Sequence, residues 1–164
     1  MRVKVLAALA VAAVVLLALA LTQPTTTQPA KQLDFELVDI YGRTFKLSEH
    51  RGKVVVLDFM ATWCSPCSAQ VEELKELREK VDVVIVSISV DPAHDTVERL
   101  RAYAESMGID WTVTRDTVGL AARFKVAAIP TLVVLTPKGE VHYLHVGLIS
   151  SEELEVKVRE AMGT

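Results

Sequence analysis

The sequence contains only two cysteines, no asparagine and no stripe of basic residues. Two thiols exclude a disulfide-rich scaffold and a metal site made of four thiolates. The 164 residues include 18 basic and 21 acidic side chains, for a formal net charge of −3, so nucleic acid is not an expected partner. Apolar residues make up 51% of the chain, which excludes disorder throughout its length and predicts a folded core.

The N-terminal segment carries a long apolar run. Arg2 and Lys4 lie beside an unbroken run from Val5 to Leu21, which as a helix of ~1.5 Å per residue reaches roughly 25 Å, against about 30 Å for a bilayer core. The run fits an uncleaved anchor or a cleaved secretory signal with a site at Ala18-Leu19-Ala20; we favour the anchor because the run is long for a signal core. Positive charge retained inside would leave the following domain outside the cytoplasmic membrane.

Composition divides the chain into three parts. Residues 1–21 are the signal anchor or signal peptide, residues 22–32 are a flexible tether rich in Thr, Gln and Pro, and residues 33–164 form one domain. A domain of this length accommodates one hydrophobic core and leaves no room for a second.

Apolar patterning in the domain predicts strands that alternate with helices. The predicted strands are a hairpin at residues 34–47 and runs at residues 54–59, 83–90, 111–114, 131–135 and 140–146. The predicted helices start near Ser65, run from an N-cap at Asp95 to Gly108, span residues 118–124 and follow an N-cap at Ser150. Near-continuous apolar strands indicate burial on both faces. The expected fold is therefore α/β, a three-layer sandwich with a mixed central sheet.

Cys64 and Cys67 stand where a predicted strand passes into a predicted helix. Backbone N–H groups and the macrodipole at a helix N-terminus favour an anion, so we expect the pKa of Cys64 to be lowered. Cys67, one turn later and directed inward, should ionise less readily. Unequal thiols suit thiol–disulfide exchange, in which Cys64 attacks a target disulfide and Cys67 resolves the mixed disulfide.

Two other interpretations of the cysteine pair were weighed against exchange. A structural disulfide across so short a loop stabilises little. A metal site needs further ligands, and His142 and His145 point to opposite faces of a predicted strand. We therefore expect no metal and no other cofactor.

Asp58 lies inside an apolar strand, six positions before Cys64. A carboxyl group there is costly unless it keeps its proton or has a partner. It either accepts the proton of Cys67 through water, with a raised pKa, or forms an ion pair with Lys53 or Lys80. We favour the proton acceptor.

Pro130 follows Ile129 at the start of a predicted strand. A trans peptide bond is the general expectation. A cis bond would turn the backbone of Ile129 toward the cysteines and offer a docking edge for an extended substrate. Periodicity leaves both isomers open.

Together these residues resemble the thioredoxin superfamily. Trp-Cys-x-x-Cys follows a buried strand, an aspartate lies six residues before the first cysteine, and Ile-Pro-Thr comes about 65 residues later. The resemblance implies a thioredoxin-like α/β/α sandwich with a cis bond before Pro130. It also implies a set of roles: nucleophile Cys64, resolving thiol Cys67, buried acid Asp58, and substrate contacts from Trp63, Ile129 and Pro130.

Two additional elements narrow the resemblance to one group within the superfamily. The hairpin at residues 35–47 and the extra helix at residues 96–107 resemble membrane-anchored TlpA/ResA-like thiol-disulfide oxidoreductases. This implies a single-pass membrane protein that exchanges electrons with protein thiols and disulfides outside the cytoplasmic membrane. It also implies a membrane electron donor and a reductase role of the cytochrome c or copper-centre assembly type. We expect a monomer.

The sequence departs from this pattern at one position. Several TlpA/ResA-like proteins carry Glu three residues after the second cysteine, where this chain has Gln70. An amide cannot take a proton, so Asp58 would act alone.

Two neighbouring groups of the superfamily fit less well. Peroxiredoxins need Thr-x-x-Cys, and Thr62 stands only two residues before Cys64. Residues 90–96 resemble a segment of Sco-type copper proteins, but those proteins space their cysteines by three residues and use a later His. A Sco-like copper(I) metallochaperone stays as an alternative because of this segment. A disulfide-forming oxidase stays as another, because the direction of electron flow depends on the reduction potential of the cysteine pair.

Overall fold

The computed structural model describes residues 33–164, and the predicted signal segment and tether lie outside them. The strands are β1 (Glu36–Val38), β2 (Thr44–Lys46), β3 (Val55–Met60), β4 (Val84–Ser89), β5 (Thr112–Arg115), β6 (Thr131–Leu135) and β7 (Val141–Val146). The helices are α1 (Ser65–Lys80), α2 (Val97–Ser106), α3 (Leu120–Arg123) and α4 (Ser151–Met162), with a 3-10 helix at Leu47–His50. Within the described part of the chain, no helix is long and apolar enough to cross a membrane.

The central sheet has five strands in the order β5-β4-β3-β6-β7. The central strand β3 pairs in parallel with β4 and antiparallel with β6. All its residues are buried, as expected of a strand covered on both faces. The predicted mixed sheet is confirmed.

The two faces of β3 pack against different elements. Val56 belongs to one cluster with Val71 of α1, whereas Leu57 belongs to another with Phe45 of β2. Helices cover both sides of the sheet, which confirms the three-layer fold. Because side chains alternate along a strand, Asp58 shares the face of Val56 and lies beneath α1.

The N-terminal hairpin closes one edge of the sheet. β1 and β2 form a separate antiparallel pair, and the residues after β1 reach the edge strand β5. Ile40 N–H donates to the Val113 carbonyl at 2.9 Å, and the Thr114 hydroxyl donates to the Val38 carbonyl at 2.7 Å. The hairpin therefore covers backbone groups that an exposed edge strand would leave unpaired.

One predicted helix start is wrong by one residue. The N-cap of α2 is Thr96, whose hydroxyl oxygen accepts from Arg99 N–H at 3.2 Å. Asp95, the predicted N-cap, is fully buried and its carboxylate bonds to Thr62 and Ser89 instead. A buried carboxylate is satisfied better by several donors than by one capping bond. The predicted Ser150 N-cap of α4 is confirmed.

Candidate active site

Cys64 and Cys67 form a disulfide at the beginning of α1. Cys64 is the N-cap of the helix, and its sulfur accepts the backbone N–H of Cys67 at 3.2 Å. Pro66 lies in the first turn, where its missing N–H removes no helical bond. The sulfur of Cys64 is thus held where helix N–H groups stabilise a thiolate.

The two cysteines differ less in exposure than the sequence suggests. In the disulfide form Cys64 is 5% exposed and Cys67 1%. Both belong to a buried cluster with Met60 of β3 and Leu100 of α2, against which Ile129 packs. The extra helix α2 therefore packs beside the disulfide, and Cys64 keeps slightly more exposure than Cys67.

Asp58 is almost completely buried beneath α1. Burial raises its pKa to about 7, and a hydrogen bond from the Ser87 hydroxyl, at 2.8 Å, partly opposes the rise. The two lysines considered as ion-pair partners bind elsewhere: Lys53 pairs with Asp82 at 3.5 Å and Lys80 with Glu152 at 3.3 Å. A carboxyl group with this pKa can exchange a proton near neutral pH.

Pro130 directly precedes β6, the strand that pairs antiparallel with β3. The Ile129–Pro130 peptide bond is cis, as the superfamily resemblance implies. The Pro130 carbonyl accepts Gly147 N–H at 2.8 Å, which holds the segment after β7 against the proline. Ile129 is partly buried and packs against the cluster that contains both cysteines.

Trp63 stands beside the disulfide and is 63% exposed. Its indole N–H donates to Asp91 Oδ2 at 3.1 Å, and Asp91 in turn contacts His94 Nδ1 at 2.9 Å. The hydrogen bond with His94 lowers the pKa of Asp91. Burial opposes this effect, and the weaker contribution of the Trp63 hydrogen bond lowers the pKa further. The indole is thus oriented by the segment that follows β4.

Asp95 is a site residue whose structural role the sequence did not reveal. Its carboxylate accepts three hydrogen bonds: the backbone N–H and hydroxyl of Thr62, at 3.1 and 2.5 Å, and the Ser89 hydroxyl at 2.5 Å. Asp95 therefore fixes the loop two residues before Cys64. The sequence around Asp95 indicates only a helix N-cap. A local pattern cannot show the contact with Thr62, which lies 33 residues away along the chain.

Gln70 is fully buried one turn after Cys67. Its side-chain amide donates to the Ile149 carbonyl at 3.1 Å and accepts Ile149 N–H at 2.9 Å. An amide offers both a donor and an acceptor without charge, so it can bond to the N–H and the carbonyl of the same residue, Ile149. The departure from Glu at this position therefore has a structural reason: it joins α1 to the loop before α4.

No group of three or more His, Cys, Asp or Glu side chains within residues 33–164 is arranged to hold a metal ion. The side chain of Met60 belongs to the same buried cluster as the two cysteines. The disulfide at the start of α1, the buried acid Asp58 on the same face of the sheet and the cis bond before Pro130 together define a thioredoxin-like redox site.

The chain belongs to the AhpC/TSA family, whose model matches residues 27–144. It is 31% identical over 126 residues to the thiol-disulfide oxidoreductase ResA of Geobacillus kaustophilus (strain HTA426), covering 74% of this chain and 71% of that protein. It is 29% identical over 127 residues to the thioredoxin-like protein YneN of Bacillus subtilis (strain 168), covering 76% and 75%.

Among solved structures, the chain is similar to a thiol:disulfide interchange protein of the DsbE type from Chlorobium tepidum. The TM-score is 0.70 at 28% sequence identity, over 81% of this chain and 96% of that one. These similarities make the chain a TlpA/ResA-like member of the thioredoxin superfamily and a thiol-disulfide oxidoreductase. Cys64 and Cys67 are its Cys-x-x-Cys pair.

Proposed function

We propose that this chain is an exported, membrane-tethered reductase of protein disulfides. Cys64 is the nucleophile, Cys67 the resolving thiol and Asp58 the proton acceptor. The observation that carries the proposal is the disulfide at the start of α1, on the sheet face that also holds a buried carboxyl group with a pKa of about 7.

The reaction transfers two electrons from the dithiol to a substrate disulfide. The Cys64 thiolate attacks one substrate sulfur, and the other leaves as a thiolate. Cys67 then gives its proton to Asp58 and attacks Cys64, which releases the second substrate thiolate and forms the Cys64–Cys67 bond. The second step is fast because the Cys67 sulfur and the Cys64 sulfur that it attacks lie in one helical turn.

Substrate docking is assigned to the surface around the disulfide. Trp63 offers an exposed aromatic face, and Ile129 and Pro130, joined by a cis bond, directly precede β6, the strand next to β3. An extended peptide could bind its backbone to Ile129 and pack a side chain on Trp63. Such contacts recognise backbone and apolar surface, so they suit many protein substrates.

Export is supported by the apolar run at residues 5–21, which fits an uncleaved anchor or a cleaved signal. In either case the domain works outside the cytoplasmic membrane. A reductase there must be re-reduced after each turnover, so a membrane electron donor completes the cycle. Substrates of the cytochrome c or copper-centre assembly type have the cysteine pairs that such a reductase keeps reduced.

The central test is reduction of insulin disulfides by the full-length protein with dithiothreitol as electron source. We expect turnover by the wild type and none above background by Cys64→Ser. Cys67→Ser should accumulate a mixed disulfide with substrate, since the resolving thiol is missing. Equal activity of wild type and Cys64→Ser would refute the assignment. A measured potential as high as that of disulfide-forming oxidases would reverse the proposed direction.

A second candidate function is copper(I) binding by the reduced cysteines. The specific observation in its favour is Met60, whose thioether lies in the same cluster as both sulfurs, because thiolates and thioethers are ligands that copper(I) prefers. Stoichiometric copper(I) binding that is weakened by Met60→Leu, together with negligible insulin reduction, would select this function.

A further inference from the structure

A chain of two buried hydrogen bonds ends on Asp58. The indole N–H of Trp111 donates to Ser87 Oγ at 3.0 Å, and Ser87 Oγ donates to Asp58 Oδ2 at 2.8 Å. Ser87 lies opposite Asp58 in the register of β3 and β4. Trp111 comes from the segment between the extra helix α2 and the strand β5.

The directions of these bonds follow from the chemistry of the three groups. An indole N–H can only donate, and a serine hydroxyl has a single hydrogen to give. Among the described residues, Ser87 Oγ has two hydrogen-bond partners, the Trp111 indole and Asp58 Oδ2. Because the indole cannot accept, the Ser87 hydrogen goes to Asp58 Oδ2. Oδ2 is therefore an acceptor whether or not the carboxyl group is protonated.

The other carboxylate oxygen is in a different situation. Asp58 Oδ1 is buried and has no hydrogen-bond partner among the described residues. A proton on Oδ2 would face the Ser87 hydrogen and break the chain of bonds. A proton on Oδ1 leaves both bonds intact.

We propose that Trp111 and Ser87 direct the exchangeable proton of Asp58 to Oδ1. Both are positioning residues, because they act through Asp58 and do not touch the sulfurs. The inference deepens the proposed function, since it rests on Asp58 as the proton acceptor and names the oxygen that receives the proton.

The chain of hydrogen bonds from Trp111 through Ser87 also affects how readily Asp58 ionises. The Ser87 bond favours the carboxylate and opposes the effect of burial on the pKa of Asp58. Other titratable groups of this region are Tyr103, whose hydroxyl bonds to Ser68 at 3.2 Å, Asp95 and Cys67. Burial, and to a lesser degree the charges of Asp58 and Asp95, raise the pKa of Tyr103, so Tyr103 stays neutral where Asp58 titrates.

The test is infrared spectroscopy of the oxidised full-length protein, without substrate, as a function of pH. The C=O stretch of a protonated carboxyl group falls in frequency when its carbonyl oxygen accepts a hydrogen bond. If the proton is on Oδ1, the carbonyl oxygen is Oδ2 and the wild-type band lies low. Asp58→Asn removes the band and so assigns it.

We expect Ser87→Ala to move this band to higher frequency and to raise the pKa of Asp58 by about one to two pH units, since a hydrogen bond to the charged form is lost. Trp111→Phe frees Ser87 to accept as well as donate, so a second, higher band should appear and the pKa should rise less. Ser87→Thr keeps the hydroxyl and should restore the low band. Ser106→Ala, which removes a hydroxyl at the end of α2, is the matched control.

A band that stays unchanged in Ser87→Ala would place the proton on Oδ2 and overturn the inference. If Ser87→Ala does not fold, the wild-type band decides: a frequency typical of a carbonyl oxygen that accepts no hydrogen bond would place the proton on Oδ2 and overturn the inference. Because the spectra need no turnover, they are independent of the proposed function. Asp58→Asn with unimpaired insulin reduction would refute the proton-acceptor role and leave the band assignment standing.

Discussion

Two buried carboxyl groups on the α1 side of the molecule differ in how many hydrogen bonds they accept. Asp95 accepts three hydrogen bonds from Thr62 and Ser89. Asp58 accepts one, from Ser87, and keeps one oxygen without a partner among the described residues. Donors compensate a carboxylate for lost solvation. The first group is therefore built as a structural anchor, and the second is left able to bind and release a proton.

The difference also shows where a redox site needs rigidity and where it does not. Asp95 fixes the backbone two residues before Cys64, so Cys64, the proposed nucleophile, keeps its place at the start of α1. As the proposed proton acceptor, Asp58 changes its charge during the reaction, and further donors would favour its ionised form. Each of the following variants tests one side of this comparison.

Asp58→Asn should have the largest effect on stability. Between the ordinary pKa of 3.8 and its folded value of about 7, the folded protein keeps a proton that the unfolded chain has released. Wild-type stability therefore falls as pH rises through this interval and stays low above it. The shift of about three pH units corresponds to about 4 kcal/mol.

The variant lacks this titration, so its stability advantage over the wild type should grow by about 4 kcal/mol between pH 4 and pH 8. Urea unfolding at the two pH values measures it, with the exposed Asp82→Asn as control. Parallel stability curves for wild type and Asp58→Asn would mean that Asp58 is not the buried, near-neutral acid described above. Slower exchange by the variant near neutral pH would support the proton-acceptor role.

Asp95→Ala should lower the free energy of unfolding by about 3 kcal/mol, because buried donors of Thr62 and Ser89 lose their acceptor. Exchange should slow as well, since the loop before Cys64 is released. Asp95→Asn keeps one carbonyl oxygen and most of the shape, so it should lose less. Denaturant unfolding of the three proteins compares them. A loss below about 1 kcal/mol in Asp95→Ala would show that the anchor is dispensable.

The parts of this site that the sequence predicts are local ones. The cysteine pair, the strand before it and the helix after it lie within one stretch of chain. Residue identity and spacing give the pair, and apolar patterning predicts the strand and the helix. The cis bond before Pro130 came only from the superfamily resemblance. The contacts of Asp95 with Thr62, and of Trp111 with Ser87, span 33 and 24 residues. They depend on strand register and loop course, which a local pattern does not contain.

Gln70→Glu should turn a pH-independent contact into a pH-dependent one. A protonated Glu can still donate to the Ile149 carbonyl and accept its N–H, as the amide does. An ionised Glu loses the donor and leaves a buried charge. Relative to the wild type, the variant should therefore lose stability as pH rises from about 4 to 8, by about 2 kcal/mol.

The measurement is again urea unfolding across this range, with Gln70→Leu as a variant that loses both hydrogen bonds at every pH. If the difference in free energy of unfolding between Gln70→Glu and the wild type does not change with pH, the amide of Gln70 does not make the two hydrogen bonds to Ile149. This variant would also bring the chain to the Glu found in several TlpA/ResA-like proteins, so its exchange rate tests whether a second acid helps Asp58.

Asp91→Ala should have the smallest effect. The bond from Trp63 to Asp91 is solvent-exposed, and exposed polar contacts contribute little to stability. We expect unchanged unfolding, but greater quenching of Trp63 fluorescence by acrylamide, because the indole is no longer held. Trp111 is 9% exposed and should stay protected. His94→Ala keeps the acceptor for Trp63 and should leave quenching unchanged. Destabilisation by Asp91→Ala as large as that of Asp95→Ala would erase the distinction between an exposed contact that orients a side chain and a buried one that holds the backbone.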